Sequence, residues 1–129
     1  MRGYVAMTAQ EVQEFILAQK FDVSDIYAPT KKFISDNHDL DEEEVEYTLS
    51  MVAAEDAIEM KSTTSGSVCV LAFEIPEKII LESYDMSVSL SEPLLWENLE
   101  CLFEVSEDGE ELTWFATQEI SNNIDSWLK

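Results

Sequence analysis

Six consecutive apolar residues, Val68–Cys69–Val70–Leu71–Ala72–Phe73, set the strongest limit on how this chain can fold. Side chains of a strand alternate between two faces, and here both faces are apolar, the mark of an interior strand. Six residues are far too few to span a membrane. The second half of the chain supplies partners for this strand. Met86, Val88 and Leu90 alternate with Ser87 and Ser89, the pattern of a half-exposed strand. Cys101–Val105 and Leu112–Ala116 flank Asp108–Gly109, a strong hairpin signal. Pro93 is placed to open a short helical turn through Leu95 and Trp96. Residues 121–128 read as a short helix that docks Ile124, Trp127 and Leu128.

The first half is mainly helical. After a short strand over 2–7, Thr8 and Glu11 form a capping box for a helix over about 9–20. Ile26–Ala28 reads as a short strand ended by Pro29, and Thr30 caps a short helix to about Asn37. Residues 41–60 give the clearest helix. Asp41, Glu42, Glu43 and Glu44 crowd its first turn, where the helix dipole favours negative charge, and Lys61 sits at its end. Val45, Leu49, Val52 and Ala53 share one face, with Tyr47, Met51, Ala54 and Ile58 nearly opposite. A helix with two apolar faces is usually covered on both. The expected fold is therefore α+β. Residues 1–129 form one domain, with a mixed or antiparallel sheet, a central two-faced helix over 41–60, and the N-terminal helix packed against that helix.

The net charge is -21, and it is unevenly placed. Up to residue 32 the chain is balanced, with Arg2, Lys20, Lys31 and Lys32 against Glu11, Glu14, Asp22 and Asp25. Beyond it, only Lys61, Lys78 and Lys129 oppose the carboxylates. The summed field argues against nucleic acid and anionic membrane as direct ligands. Self-repulsion predicts stability that rises with ionic strength. Part of the charge has local causes, in the helix start at Asp41–Glu44 and around the hairpin turn at Glu107–Glu111. Cys69 and Cys101 lie in apolar runs, which predicts two buried thiols in a reducing cytoplasm rather than a disulfide.

Three segments carry a family resemblance. Residues 1–8, the helical stretch Glu42–Tyr47 and the stretch Glu111–Ile120 are similar, in order and spacing, to a small actinobacterial domain family of unknown function. The late Trp–Phe–Ala–Thr–Gln–Glu run, 114–119, is the most specific piece. The resemblance implies a single cytoplasmic α+β domain and brings no activity, cofactor or catalytic residue.

Candidate sites follow from the residues alone. Glu46 falls between the two apolar faces of its helix, with Tyr47 beside it. Gln118 and Glu119 follow the hairpin and could converge with Glu46 on a polar pocket. Asp56 lies close to the Val45/Leu49/Val52 stripe, so it either closes that stripe at the protein edge or needs a buried partner. Trp96, Trp114 and Phe115 are candidate contact aromatics, and Trp114 and Phe115 should face opposite sides of one strand. Metal binding scores badly. An EF-hand counted from Asp39 would need Gly sixth and Glu twelfth, and finds Glu44 and Ser50. His38 is the single histidine, which argues against zinc. No nucleophile elbow or phosphate-binding glycine loop occurs. No cofactor is expected.

The first expectation is an acidic interaction or accessory domain with a basic protein partner. A nucleic-acid mimic is the second, and a small enzyme built on Glu46, Gln118 and Glu119 the third.

Overall fold

The computed structural model describes residues 1–129. In chain order the elements are β1 (Arg2–Thr8), α1 (Ala9–Ala18), β2 (Lys20–Phe21), β3 (Asp25–Tyr27), α2 (Lys31–Asp36), α3 (Glu42–Met60), β4 (Val68–Glu74), β5 (Ile80–Ser83), β6 (Ser87–Leu90), β7 (Leu94–Leu95), β8 (Leu99–Val105), β9 (Leu112–Ala116) and α4 (Ile120–Leu128). Seven strands form one sheet in the order β5-β6-β3-β1-β4-β8-β9, and β2 pairs with β7 in a separate ribbon. Every pairing is antiparallel. The class is α+β, as the residue pattern predicts.

β4 sits between β1 and β8, and its alternation explains the layers. Val68, Val70 and Ala72 belong to a buried cluster with Leu49, Ala53, Ala54 and Ala57 of α3 and with Phe33 of α2. Cys69, Leu71 and Phe73 belong to a second cluster, with Val12 and Phe15 of α1 and Ile124 and Trp127 of α4. The sheet is thus covered on both faces, and the fully apolar run is satisfied on both. Phe15 anchors the second cluster, with ring centroids 5.8 Å from Phe73 and 4.9 Å from Trp96. Each fully buried large apolar side chain here contributes about 1.5–3 kcal/mol. The two thiols are free and buried, one in each cluster, so the sheet itself separates them.

Capping follows the sequence signals. Thr8 and Glu11 form the predicted capping box, Thr30 caps α2, and Asp41 with Glu44 forms a second box at the start of α3. Gln19 ends α1 in the left-handed conformation, at φ 64°, which turns the chain sharply into β2. No helix is long and apolar enough to cross a membrane.

Three expectations are corrected. The N-terminal helix does not pack on the 41–60 helix. α1 begins directly after its N-cap Thr8, shares its cluster with Met7, and lies on one face of the sheet, whereas α3 covers the face of Tyr4 and Ala6. Nor is α3 covered on two sides. Its buried stripe is Val45, Leu49, Ser50, Ala53, Ala54 and Ala57. The small residues allow close contact with the sheet, and Tyr47 is left 64% exposed. Finally, Leu94–Leu95 is a strand paired with Lys20–Phe21, not the opening of a helical turn; the turn begins only at Trp96.

Leu49 is fully buried, whereas Val52 is only partly so. Leu49→Ala should therefore lower the unfolding free energy by about 2–5 kcal/mol. Val52→Ala should cost clearly less, and urea unfolding of both variants checks the ranking. Equal losses would contradict the assigned orientation of α3.

Candidate functional site

β1 places alternate residues under α3, so Arg2 and Tyr4 point into the same layer as Glu46. The flank of α3 does not close down on the sheet there. A cleft of about 360 Å³ opens between them. Arg2 and Tyr4 line it from β1; Glu43, Glu46, Tyr47, Ser50 and Met51 from α3; and Phe103 and Leu112 from β8 and β9. Glu110 reaches it from the loop between the last two strands.

That loop is shaped by its own hydrogen bonds. Gly109 N–H donates to the Ser106 carbonyl at 3.0 Å, and Gly109 takes φ 78°. A side chain would be strained at that φ, and an added Cβ would lie 2.9 Å from Ile58 of α3. The Asp108 carboxylate accepts from the Ser106 hydroxyl and the Glu110 N–H, which holds its pKa below the ordinary value. The Asp108–Gly109 signal therefore does more than reverse the chain: it brings the loop against the helix flank.

Arg2 is the single arginine of the chain, and all three of its side-chain nitrogens make a hydrogen bond. It donates to the Tyr4 hydroxyl at 3.0 Å, to Glu100 Oε1 at 3.1 Å and to Cys101 Sγ at 3.6 Å. Burial pushes the Tyr4 hydroxyl's pKa up; Arg2 opposes this and Glu46 adds to it. Burial likewise pushes the Cys101 thiol up, against Arg2 and Trp114, and Cys69 rises to about 12. Both thiols stay protonated at neutral pH, so neither is an activated nucleophile. No group of three or more His, Cys, Asp and Glu side chains is placed to hold a metal ion. The cleft is an apolar and aromatic floor ringed by carboxylates, suited to a ligand that is both basic and partly apolar.

Of the four candidate polar residues, Glu46 and Tyr47 line the cleft, whereas Gln118 and Glu119 do not. The expected convergence is not formed. Both lie in the helical turn Thr117–Glu119 that leads from β9 into α4, and the Glu119 carboxylate accepts the Ala116 N–H at 2.8 Å. Of the three aromatics, Trp96 is half-buried against Phe15, and Phe115 packs edge-on against Trp127 at 5.1 Å. Trp114 faces the other side of β9 and is 56% exposed. Sequence reasoning missed Arg2, although a lone arginine at an inward-facing strand position was a readable signal.

Asp56 has a partner. The Tyr27 hydroxyl donates to its Oδ2 at 2.5 Å, at the mouth of a second cleft of about 340 Å³. Burial, and then the hydrogen bond and charge of Asp56, raise the Tyr27 pKa to about 12. An unfolded tyrosine titrates near its ordinary value of 10. Since the folded value is the higher, the contribution of Tyr27 is fully present below pH 10 and is lost as the pH rises towards 12. An ultraviolet titration should accordingly show a late tyrosinate step that Tyr27→Phe diminishes by one residue's absorbance, Tyr4 accounting for the remainder. A late step of undiminished amplitude in the variant would show that Tyr27 is not a source of it.

No curated protein and no solved structure matches this chain. A family model matches residues 1–107, so the stretch 111–120 lies outside the matched residues. That match is to the family of unknown function DUF6912 over residues 1–107, and the chain belongs to this family.

Proposed function

We propose that this chain is a cytoplasmic protein-interaction domain that receives a basic partner on the face built by α3 and the β8–β9 hairpin. The observation that carries the reading is the ring of Glu43, Glu46 and Glu110 around an apolar floor of Tyr47, Met51, Phe103 and Leu112. The only basic group lining that cleft is Arg2, and each of its three nitrogens already donates to a neighbour, Tyr4, Glu100 or Cys101. Glu43, Glu46 and Glu110 form no ion pair within the chain, so an arriving cation meets unpaired carboxylates. Complementary charge of this kind gives fast, salt-sensitive association. Free, separated thiols suit a reducing compartment.

Two other readings have less support. A nucleic-acid mimic needs carboxylates along one extended face. Exposed carboxylates occur here on α1 (Glu14), α3 (Glu55, Glu59), β5 (Glu82) and α4 (Asp125), on both sides of the sheet. A carboxylate enzyme needs Gln118 and Glu119 beside Glu46, and they lie outside the cleft.

The test compares two triple variants of equal charge change, binding a lysine-rich peptide at low salt. Glu43→Gln, Glu46→Gln and Glu110→Gln together should weaken binding about tenfold, as expected for three partly screened pairs. Glu14→Gln, Glu97→Gln and Asp125→Asn, on the far side of the sheet, should change it much less. Equal losses would mean that only net charge matters, and the assigned face would be wrong.

A further inference from the structure

β9 is the last strand of the sheet, so one of its edges carries no partner. The hydrogen-bond alternation identifies which groups lie on it. Ser106 N–H donates to the Glu111 carbonyl at 2.9 Å, which makes that opposed pair a bonded one. Along the register Val105↔Leu112, Glu104↔Thr113, Phe103↔Trp114, bonded and non-bonded pairs then alternate. Thr113 and Phe115 bond inward to β8; Leu112, Trp114 and Ala116 turn their N–H and C=O groups outward. Ala116 bears this out, because its N–H is taken by the Glu119 carboxylate rather than by β8. Glu119 therefore closes one end of the edge, and the N–H and C=O groups of Leu112 and Trp114 remain open to an incoming strand.

The side chains on this edge indicate an occupant. Leu112 and Trp114 point to the α3 face, where Leu112 lines the acidic cleft and Trp114 is exposed. A strand added here in antiparallel register would place alternate side chains beside the Trp114 ring and near Glu110. Arginine answers both, by stacking on the indole and by opposing the carboxylate. A second copy of this chain answers neither. Each copy carries -21 charges, and edge-to-edge pairing would bring two acidic hairpins together.

We propose that the partner binds by β-strand addition: an extended segment with arginine at alternate positions pairs antiparallel with the Leu112–Trp114 edge of β9. This rests on the basic-partner reading above and specifies its geometry.

The test uses a short peptide alternating arginine with valine and two N-methylated forms of it. In antiparallel pairing the arginine amides face the edge and the valine amides face away. N-methylation of the arginines should weaken binding about tenfold by deleting two hydrogen bonds, while N-methylation of the valines leaves it within about twofold. Amide exchange at Leu112 and Trp114 should slow when the unmethylated peptide binds. Equal affinity of the two methylated forms would overturn strand addition and leave the acidic docking face standing. Failure of both this peptide and the lysine-rich peptide to bind would overturn both readings. A dimeric chain whose Leu112 and Trp114 amides are protected without peptide would show that a second copy holds the edge, and would overturn the proposal.

Discussion

The two-sided burial of β4 is the constraint on which the rest of the structure depends. A strand with six apolar residues in succession must have strands on both edges and cover on both faces. β1 and β8 satisfy its edges, in continuous register from Arg2↔Glu74 to Thr8↔Val68 on one side, and on the other from Val68↔Val105 to Ala72↔Cys101 before a one-residue shift to Phe73↔Leu99. α3 satisfies one face, and α1 with α4 the other. Because α1 follows β1 at a single capped residue, its side of the sheet is fixed by local geometry. α3 is then left the opposite side. The cleft is a consequence: α3 crosses β1 and β4 with small residues, and its larger Tyr47 and Met51 fall beside β8 and β9 without filling the space.

The charge fits into this frame without disturbing it. Only three ion pairs form, Met1 with Glu74, Arg2 with Glu100 and Lys32 with Asp36, and all are at least partly exposed. Such pairs contribute little stability. Apolar packing holds the protein together against its own repulsion, and no buried side-chain nitrogen or oxygen is left without a hydrogen bond. The acidity is therefore free to act at the surface. Arg2 is the exception, since its guanidinium ties β1 to β8 through Glu100 and Cys101 while lining the acidic cleft.

Much of the fold was legible. The Thr8–Glu11 box, the Thr30 cap, the Asp41–Met60 helix, the β4 run and the Asp108–Gly109 hairpin are all set by local chemistry, and each forms as the residues predict. What escaped was decided by distant partners. Lys20–Phe21 and Leu94–Leu95 are too short to register as strands alone and exist because they pair with each other. β5 is irregular, with a register shift against β6 that blurs its alternation. The site was half legible for the same reason. Glu46 and Tyr47 share a helix, so their placement followed from helical phase. Where Glu119 points depended on a turn after β9, and there the nearest orphan donor, Ala116 N–H, captured its carboxylate.

β4 is closed on every side, while β9 keeps an open edge. Amide hydrogen exchange of the free chain tests this most directly. The Val70, Leu71 and Ala72 amides should exchange only through global unfolding. Those of Leu112 and Trp114 should exchange close to the rate of an unstructured peptide, with Ala116 slower because Glu119 holds it. Protection of the Trp114 amide equal to that of β4 would contradict the claim, since it would mean that the edge is already covered.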